Sequence, residues 1–187
     1  MQHYPQFAFD HYVVRTAGLE DVPAIVDMTV RNRDILAPLE PVRQESYYSA
    51  EHWMVVLTQA RSAFNDRRSA LFWLFDRDSQ RALGKIGISN VVGDPFHAAF
   101  LGYSLSQEQW GQGLMRRSLE VTIQFLFDEW NLHRLMANYM PENERSGRLL
   151  RRLGFTVEGY ARDYLRINGE WRDHVLTSLH KPDWQAR

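Results

Sequence analysis

Twice in this chain a strand-like run passes directly into a helical one, and that repeated handover restricts the fold more than any other feature. The first lies in Gly102-Tyr103-Ser104-Leu105-Ser106-Gln107-Glu108-Gln109-Trp110-Gly111-Gln112-Gly113-Leu114-Met115, where a strand ends, two glycines spaced by one residue follow, and a long helix begins. The second, Tyr139-Met140-Pro141-Glu142-Asn143-Glu144-Arg145-Ser146-Gly147, again joins strand to helix, with Asn143 placed as the N-cap and Ser146 in the first turn. A helix start leaves backbone N–H groups free and carries the positive end of the helix dipole, so the glycine handover is either an anion cradle or a plain turn, and the Asn143 handover either caps its helix or adds to the same site. The two fall on strands expected to be neighbours, which would bring both free ends to one ligand.

The rest of the pattern alternates around them. Tyr12-Val13-Val14-Arg15-Thr16 reads as a strand, and Leu19 to about Arg33 as a helix with Val22, Ile25, Met28 and Val30 apolar. Two prolines bar Ala37–Arg43 from a helix interior, leaving a loop or lip. Ser49–Asn65 has Trp53, Val56, Leu57 and Ala60 at helical spacing. Three strands follow at Leu71–Phe75, Gly84–Val92 and His97–Leu105, with turn chemistry at Arg77-Asp78-Ser79 and Gly93-Asp94-Pro95, so an antiparallel meander is expected. After Gly113 a helix runs to about Trp130 on a stripe of Met115, Leu119, Ile123, Phe127 and Trp130. Leu135–Met140 is a strand, Glu144–Leu153 a helix stopped by Gly154, and Asn168-Gly169 a type I′ hairpin turn between Tyr164–Ile167 and Trp171–Leu179. The whole is a mixed α/β class, read as a single domain over 1–187 with about ten flexible residues at the N-terminus.

Composition narrows the chemistry. With 187 residues, 44% of them hydrophobic, the chain is long enough to bury its own core without disulfide, metal or partner. The absence of cysteine excludes disulfide scaffolds, thiolate metal sites and a thiol nucleophile. A net charge of −1 argues against bulk binding to DNA or membranes, and no apolar run has the length of a signal or a span, so a cytoplasmic protein is expected. Of 22 basic residues only Lys85 and Lys181 are lysines; arginine suits phosphate, carboxylate and RNA contacts, although codon bias gives the same imbalance. The seven histidines form no metal-ligand spacing, no G-x-S-x-G is present, and the glycine turn lacks both the third glycine of a dinucleotide site and the Gly-Lys-Ser/Thr of a P-loop.

Taken together, the Gly111-x-Gly113 helix start, the Asn143-x-x-Ser146 helix ending in Leu153-Gly154-Phe155, and Glu158-Gly159 resemble the GNAT acetyltransferase family. Within it, Glu40-Pro41-Val42-Arg43, Ser89-Asn90-Val91-Val92, Leu101-Gly102-Tyr103-Ser104, Met136–Pro141 and Gly169–Leu176 are similar to the Rim-type enzymes that acetylate the N-terminal alanine of a ribosomal protein. The likeness covers about residues 12–184. It implies a mostly antiparallel twisted sheet flanked by helices, with acetyl-CoA in a V-shaped opening between Phe100–Leu105 and Leu135–Tyr139. It further implies pyrophosphate on Gly111-Gln112-Gly113-Leu114, with Trp110 and Met115 adjoining, pantetheine on the backbone near Ser104 and Leu105, and Asn143 by the pantetheine or the sulfur. Ser146 would return a proton to the CoA thiolate, and the bare alternative is that Asn143 and Ser146 only cap a helix. The acceptor would be a ribosomal-protein N-terminus. The family often has Gln or Arg where this chain has Glu108, so either Glu108 turns outward or Gln107 or Gln109 takes the role.

The general base stays open. No carboxylate sits on Leu132–Tyr139, where many relatives carry Glu; Asn138 stands near that place. Candidates are Glu158, Asp163, His174 and a water held by Tyr103 or Asn138. Counting back from a two-residue turn at Asn168-Gly169 puts Asp163 opposite His174 and Tyr164 opposite Asp173, an orienter and base or an exposed ion pair. Arg145, Arg148 and Arg152, with Arg151 adjoining, share one helix face that is solvated, meets the CoA 3′-phosphate, or docks on ribosomal RNA; the last would suit a ribosome-binding module with little activity.

Overall fold

The structure, a computed structural model, describes residues 4–185. It contains eight strands: β1 Gln6–Phe9, β2 Tyr12–Thr16, β3 Ala70–Asp76, β4 Ala82–Val92, β5 Ala98–Leu105, β6 Arg134–Met136, β7 Thr156–Ile167 and β8 Glu170–His180. Five helices accompany them: α1 Val22–Arg31, α2 Arg33–Leu36, α3 Ala50–Asn65, α4 Leu114–Asp128 and α5 Glu144–Arg152. One sheet runs in the order β1-β2-β3-β4-β5-β6-β8-β7, and only the β5–β6 pair is parallel. None of the described helices is long and apolar enough to cross a membrane.

The period-2 alternation of β3 explains the layering. Phe72 and Leu74 face α4 and α5 in a core with Ile86, Ile88, Met115, Leu119, Leu135 and Leu150. Trp73 and Phe75 point the other way, onto Ile25, Met28, Trp53 and Leu57 of α1 and α3. In α4 the hydroxyls of Ser118 and Thr122 are buried but satisfied by the carbonyls of Leu114 and Ser118 one turn back, so they cost the core little.

Several elements differ from the sequence reading. Residues 1–3 lie outside the described residues, and Gln6–Phe9 forms an edge strand on β2 where the reading began at Tyr12. The helix expected from Leu19 starts with a short 3₁₀ turn, breaks at Asn32, and leaves Val30 about half exposed. The strand expected over Leu135–Met140 is regular only to Met136. Beyond it the chain stays on β8 through Ala137 N–H to Thr177 O (3.1 Å) and a reciprocal Tyr139–Val175 pair.

This last difference makes the opening. Pairing between β5 and β6 ends at Phe100 and Met136. From there β5 continues along β4 to Leu105, while Ala137–Tyr139 departs with β8. The sheet splits between two parallel strands, each leading into a helix.

Candidate active site

The split opens into a cleft of about 1450 Å³. Tyr103, Ser104 and Leu105 of β5 form one wall and Asn138, Tyr139, Asn143 and Ser146 the other, with Trp110, Gly111, Gly113, Leu114 and Met115 along the glycine turn. At that turn Gly111 (φ 80°) and Gly113 (φ 77°) both take the left-handed conformation that L side chains adopt only with strain. Gly113 is the N-cap of α4 and supplies no side chain, so the N-cap residue leaves the first N–H groups of that helix without a side-chain partner. The local chemistry is therefore that of an anion cradle, and the residues present fit a diphosphate.

Glu108 turns outward. Its carboxylate pairs with Arg81 (3.1 Å) and Arg31 (3.4 Å) and is absent from the cleft wall, which removes the repulsion that a carboxylate would exert on phosphate. Gln109 lines the cleft and Gln107 does not. The exposed Gln112 folds its amide back onto the Glu108 carbonyl (3.0 Å), so it faces the turn itself. Trp110 donates its indole N–H to Leu105 O (2.9 Å) and carries the Arg145 guanidinium 3.7 Å above its ring. Arg145, Arg148 and Arg152 all border the cleft; Arg151 does not.

On the opposite side Asn143 caps α5, its Oδ1 accepting the Ser146 N–H at 3.2 Å. The Ser146 hydroxyl takes no part in that cap; its Oγ lies 2.7 Å from Tyr103 Oη across the split. Burial pushes the Tyr103 phenol up to about 12, against a smaller opposing effect of the Ser146 hydrogen bond. Gly147 permits the close approach that brings Ser146 there, because a Cβ on it would fall 2.7 Å from the Tyr139 ring.

The remaining candidates are dispersed. Between Ala161↔His174 and Leu165↔Arg172 the β7–β8 register shifts, so Asp163 is not opposite His174 nor Tyr164 opposite Asp173. Asp163 is an exposed bulge residue at φ 47° whose N–H donates to Asp173 Oδ1 (2.9 Å). The bulge brings the Tyr164 ring against the His174 ring instead, 5.4 Å between centroids. His174 borders the cleft, buried, with Nδ1 3.0 Å from Arg172 O. Glu158 is held by Arg134 and Ser178 away from the cleft; the Ser178 hydroxyl and the Arg134 guanidinium keep its carboxyl below the ordinary range. Asn138 has both ends of its amide committed, to Thr177 N–H and Tyr164 Oη, each at 3.1 Å. Among the described residues no cluster of three or more His, Asp or Glu is placed to hold a metal ion.

Sequence reasoning did not single out Lys85 and Tyr47, and took Glu40 and Arg43 only as part of a motif. Lys85 Nζ donates to Tyr47 Oη (2.6 Å) and lies 3.3 Å from Glu40 Oε1, and Arg43 Nε lies 3.1 Å from Glu40 Oε2. All four line the cleft. A lysine inside the apolar run Gly84-Lys85-Ile86-Gly87-Ile88 was the available signal. The loop that carries Glu40 is tied to the hairpin by Asn168 N–H donating to Glu40 O at 2.9 Å.

Comparison with known proteins agrees with this layout. The family model described as an acetyltransferase (GNAT) domain matches residues 12–156. The chain is 46% identical to the [ribosomal protein uS5]-alanine N-acetyltransferase of Escherichia coli (strain K12), over 94% of this chain and 90% of that protein. The crystal structure of a ribosomal-protein-S5-alanine acetyltransferase from Vibrio fischeri superposes with a TM-score of 0.94 at 41% identity, covering 97% of this chain and all of that one. Mycobacterium smegmatis RimJ in complex with CoA-disulfide shares the fold, with a TM-score of 0.86 at 24% identity, over 94% of this chain and 84% of that one.

Proposed function

The chain belongs to the GNAT acetyltransferase family, and from that premise we propose that it moves the acetyl group of acetyl-CoA onto the N-terminal α-amine of a protein, an alanine at the start of a small-subunit ribosomal protein. The observation that carries this reading is the Tyr103–Ser146 hydroxyl pair, set across the split of the sheet beside the bare helix start at Gly113. The E. coli and Vibrio fischeri relatives, named for the alanine they acetylate, support the acceptor. A ribosomal acceptor implies a cytoplasmic enzyme, and the continuous sheet implies that the whole chain acts as one domain.

In this reading the N–H groups of the Gly111-Gln112-Gly113-Leu114 turn hold the pyrophosphate, with Trp110 and Met115 beside it. The backbone of Ser104 and Leu105 pairs with pantetheine, and Asn143 stands near the sulfur. Arg145, Arg148 and Arg152 serve the cofactor's phosphates; their place on the cleft wall favours this over RNA docking. The amine attacks the thioester carbonyl directly: a C–N bond forms, the C–S bond breaks, the amine gives up one proton and the departing thiolate takes one. A backbone N–H near Leu105 polarises the carbonyl, and positioning supplies most of the rate. Ser146 donates toward the thiolate, and Tyr103, protonated at any physiological pH, fixes the direction of that hydroxyl. His174 borders the same space. Asp163, exposed in its bulge, is assigned no role.

Mass spectrometry of ribosomal proteins from a strain lacking this chain tests the proposal. One alanine-start protein lighter by a single acetyl group is expected; an unchanged set of N-termini overturns it.

A further inference from the structure

Acetyl transfer as described leaves the charged cluster of Glu40, Lys85 and Arg43 on the cleft wall without a task. A side cavity of about 160 Å³ opens off the cleft on the α1 side of the sheet, and the two share Leu36, Glu40, Arg43, Tyr47, Lys85 and Ser104 as walls. A cavity of about 150 Å³ takes a benzene-sized group, so this one suits a small side chain. Among the described residues Glu40 is the only carboxylate bordering both spaces.

Glu40 is fixed on every side. Its side chain is 16% exposed, Lys85 lies 3.3 Å from one oxygen and Arg43 3.1 Å from the other. Its carbonyl is held by Asn168. An ionised carboxylate has about four lone-pair positions, so two cations leave room for further donors. Lys85 is in turn the β4 partner of Ser104 on β5, which ties the cluster to the strand bearing Tyr103 and Leu105. The other cleft carboxylates, Glu142 and Glu144, are exposed and paired with Arg172 and Arg148. Glu40, Lys85 and Arg43 sum to one positive charge, which favours an uncharged amine over an ammonium at this spot.

Building on the α-amine reading above, we propose that Glu40 is the acceptor-binding residue. Its carboxylate, braced by Lys85 and Arg43, accepts a hydrogen bond from the neutral α-amine of the incoming chain end, whose first side chain occupies the side cavity.

The test is steady-state kinetics of the full chain with an alanine-start peptide varied at saturating acetyl-CoA, and acetyl-CoA varied at fixed peptide. Glu40→Gln keeps the shape and removes the charge. It is expected to lower kcat/KM for the peptide ten- to a hundredfold, the loss of one charge-assisted hydrogen bond, with KM for acetyl-CoA within about twofold of wild type. Glu40→Asp, which restores the charge one methylene short, is expected to recover part of the loss. An unchanged peptide kcat/KM in Glu40→Gln, or a parallel loss toward both substrates, overturns the role of Glu40 while wild-type turnover leaves the α-amine reading standing. A wild type that does not acetylate the peptide overturns both.

Discussion

Tyr103 Oη and Ser146 Oγ, 2.7 Å apart, are the hydroxyl pair that spans the split between the β5 side of the sheet and the β6–β8 side. Because Asn143, and not Ser146, supplies the side chain that caps α5, the helix does not need the Ser146 hydroxyl. Ser146→Ala is therefore expected to lower kcat by roughly 10²-fold, the low end for losing a general acid, with little change in acetyl-CoA affinity or melting temperature. Asn143→Ala is expected to cost about 1 kcal/mol of stability. Kinetics and melts on the two variants separate the roles, and near-normal kcat in Ser146→Ala would remove the serine from the chemistry.

Tyr103 makes stability depend on alkaline pH. Its folded value of about 12 lies above the value near 10 of an exposed tyrosine, so below pH 10 both states hold the proton and the phenol adds no pH dependence. Between pH 10 and 12 the unfolded chain releases the proton while the folded one keeps it, and stability falls, by up to about 2–3 kcal/mol across the window. Denaturant unfolding of wild type and Tyr103→Phe should run parallel below pH 10 and diverge above it at the wild type's expense. Parallel curves to pH 12 would contradict the burial argument.

The glycine turn predicts a ligand-dependent melt. Acetyl-CoA at 100 times its dissociation constant should stabilise the wild type by about 2.7 kcal/mol. In Gly113→Val a β-branched side chain is forced into φ 77° where backbone must approach the diphosphate, so the ligand-induced shift should disappear and the free protein should lose about 1–3 kcal/mol. A full shift in the variant would place the phosphates elsewhere.

Acceptor chemistry gives a fourth expectation. At pH 7 deprotonating an α-amine of pKa about 7.7–8.0 costs about 1 kcal/mol, against about 4.6 kcal/mol for a lysine near 10.4. The cleft presents no carboxylate free of an arginine or lysine partner among the described residues, so the cheaper nucleophile should prevail. Initial rates on an alanine-start peptide should far exceed those on its N-blocked, lysine-containing twin, with serine starts in between. Equal rates would rule out chain-end selectivity.

What the sequence made legible was local. Gly111, Gly113 and Asn143 announce their roles because a left-handed φ and an N-cap each admit few residue types. That the two strands preceding the handovers are neighbours was expected; that they run parallel is seen only in the structure. The β7–β8 register was not legible beyond the turn: Asn168-Gly169 sets the pairs nearest to it, but the bulge at Asp163 takes its positive φ on a residue that carries no glycine mark. β6 stops early because the Asn138 side chain, not a backbone carbonyl, accepts the Thr177 N–H, and no pattern shows that substitution. Phe7 and Phe9 did alternate in β1, but four residues beside a proline gave too short a run to read. Glu40 sits in a proline-rich loop whose side-chain destinations are set by partners far away in sequence, Lys85 above all.

The bond from Asn168 to Glu40 is made by main-chain atoms alone. Alanine scanning would pass over it, since no side-chain truncation at either position takes away the N–H or the carbonyl. The two halves of Glu40 therefore have separate attachments: its carbonyl joins the loop to the hairpin at Asn168, while its carboxylate is held by Lys85 and Arg43 on the cleft wall. A substitution at Glu40 thus leaves the loop-to-hairpin bond in place, and a change in activity reports on the carboxylate and its two cations rather than on a displaced loop.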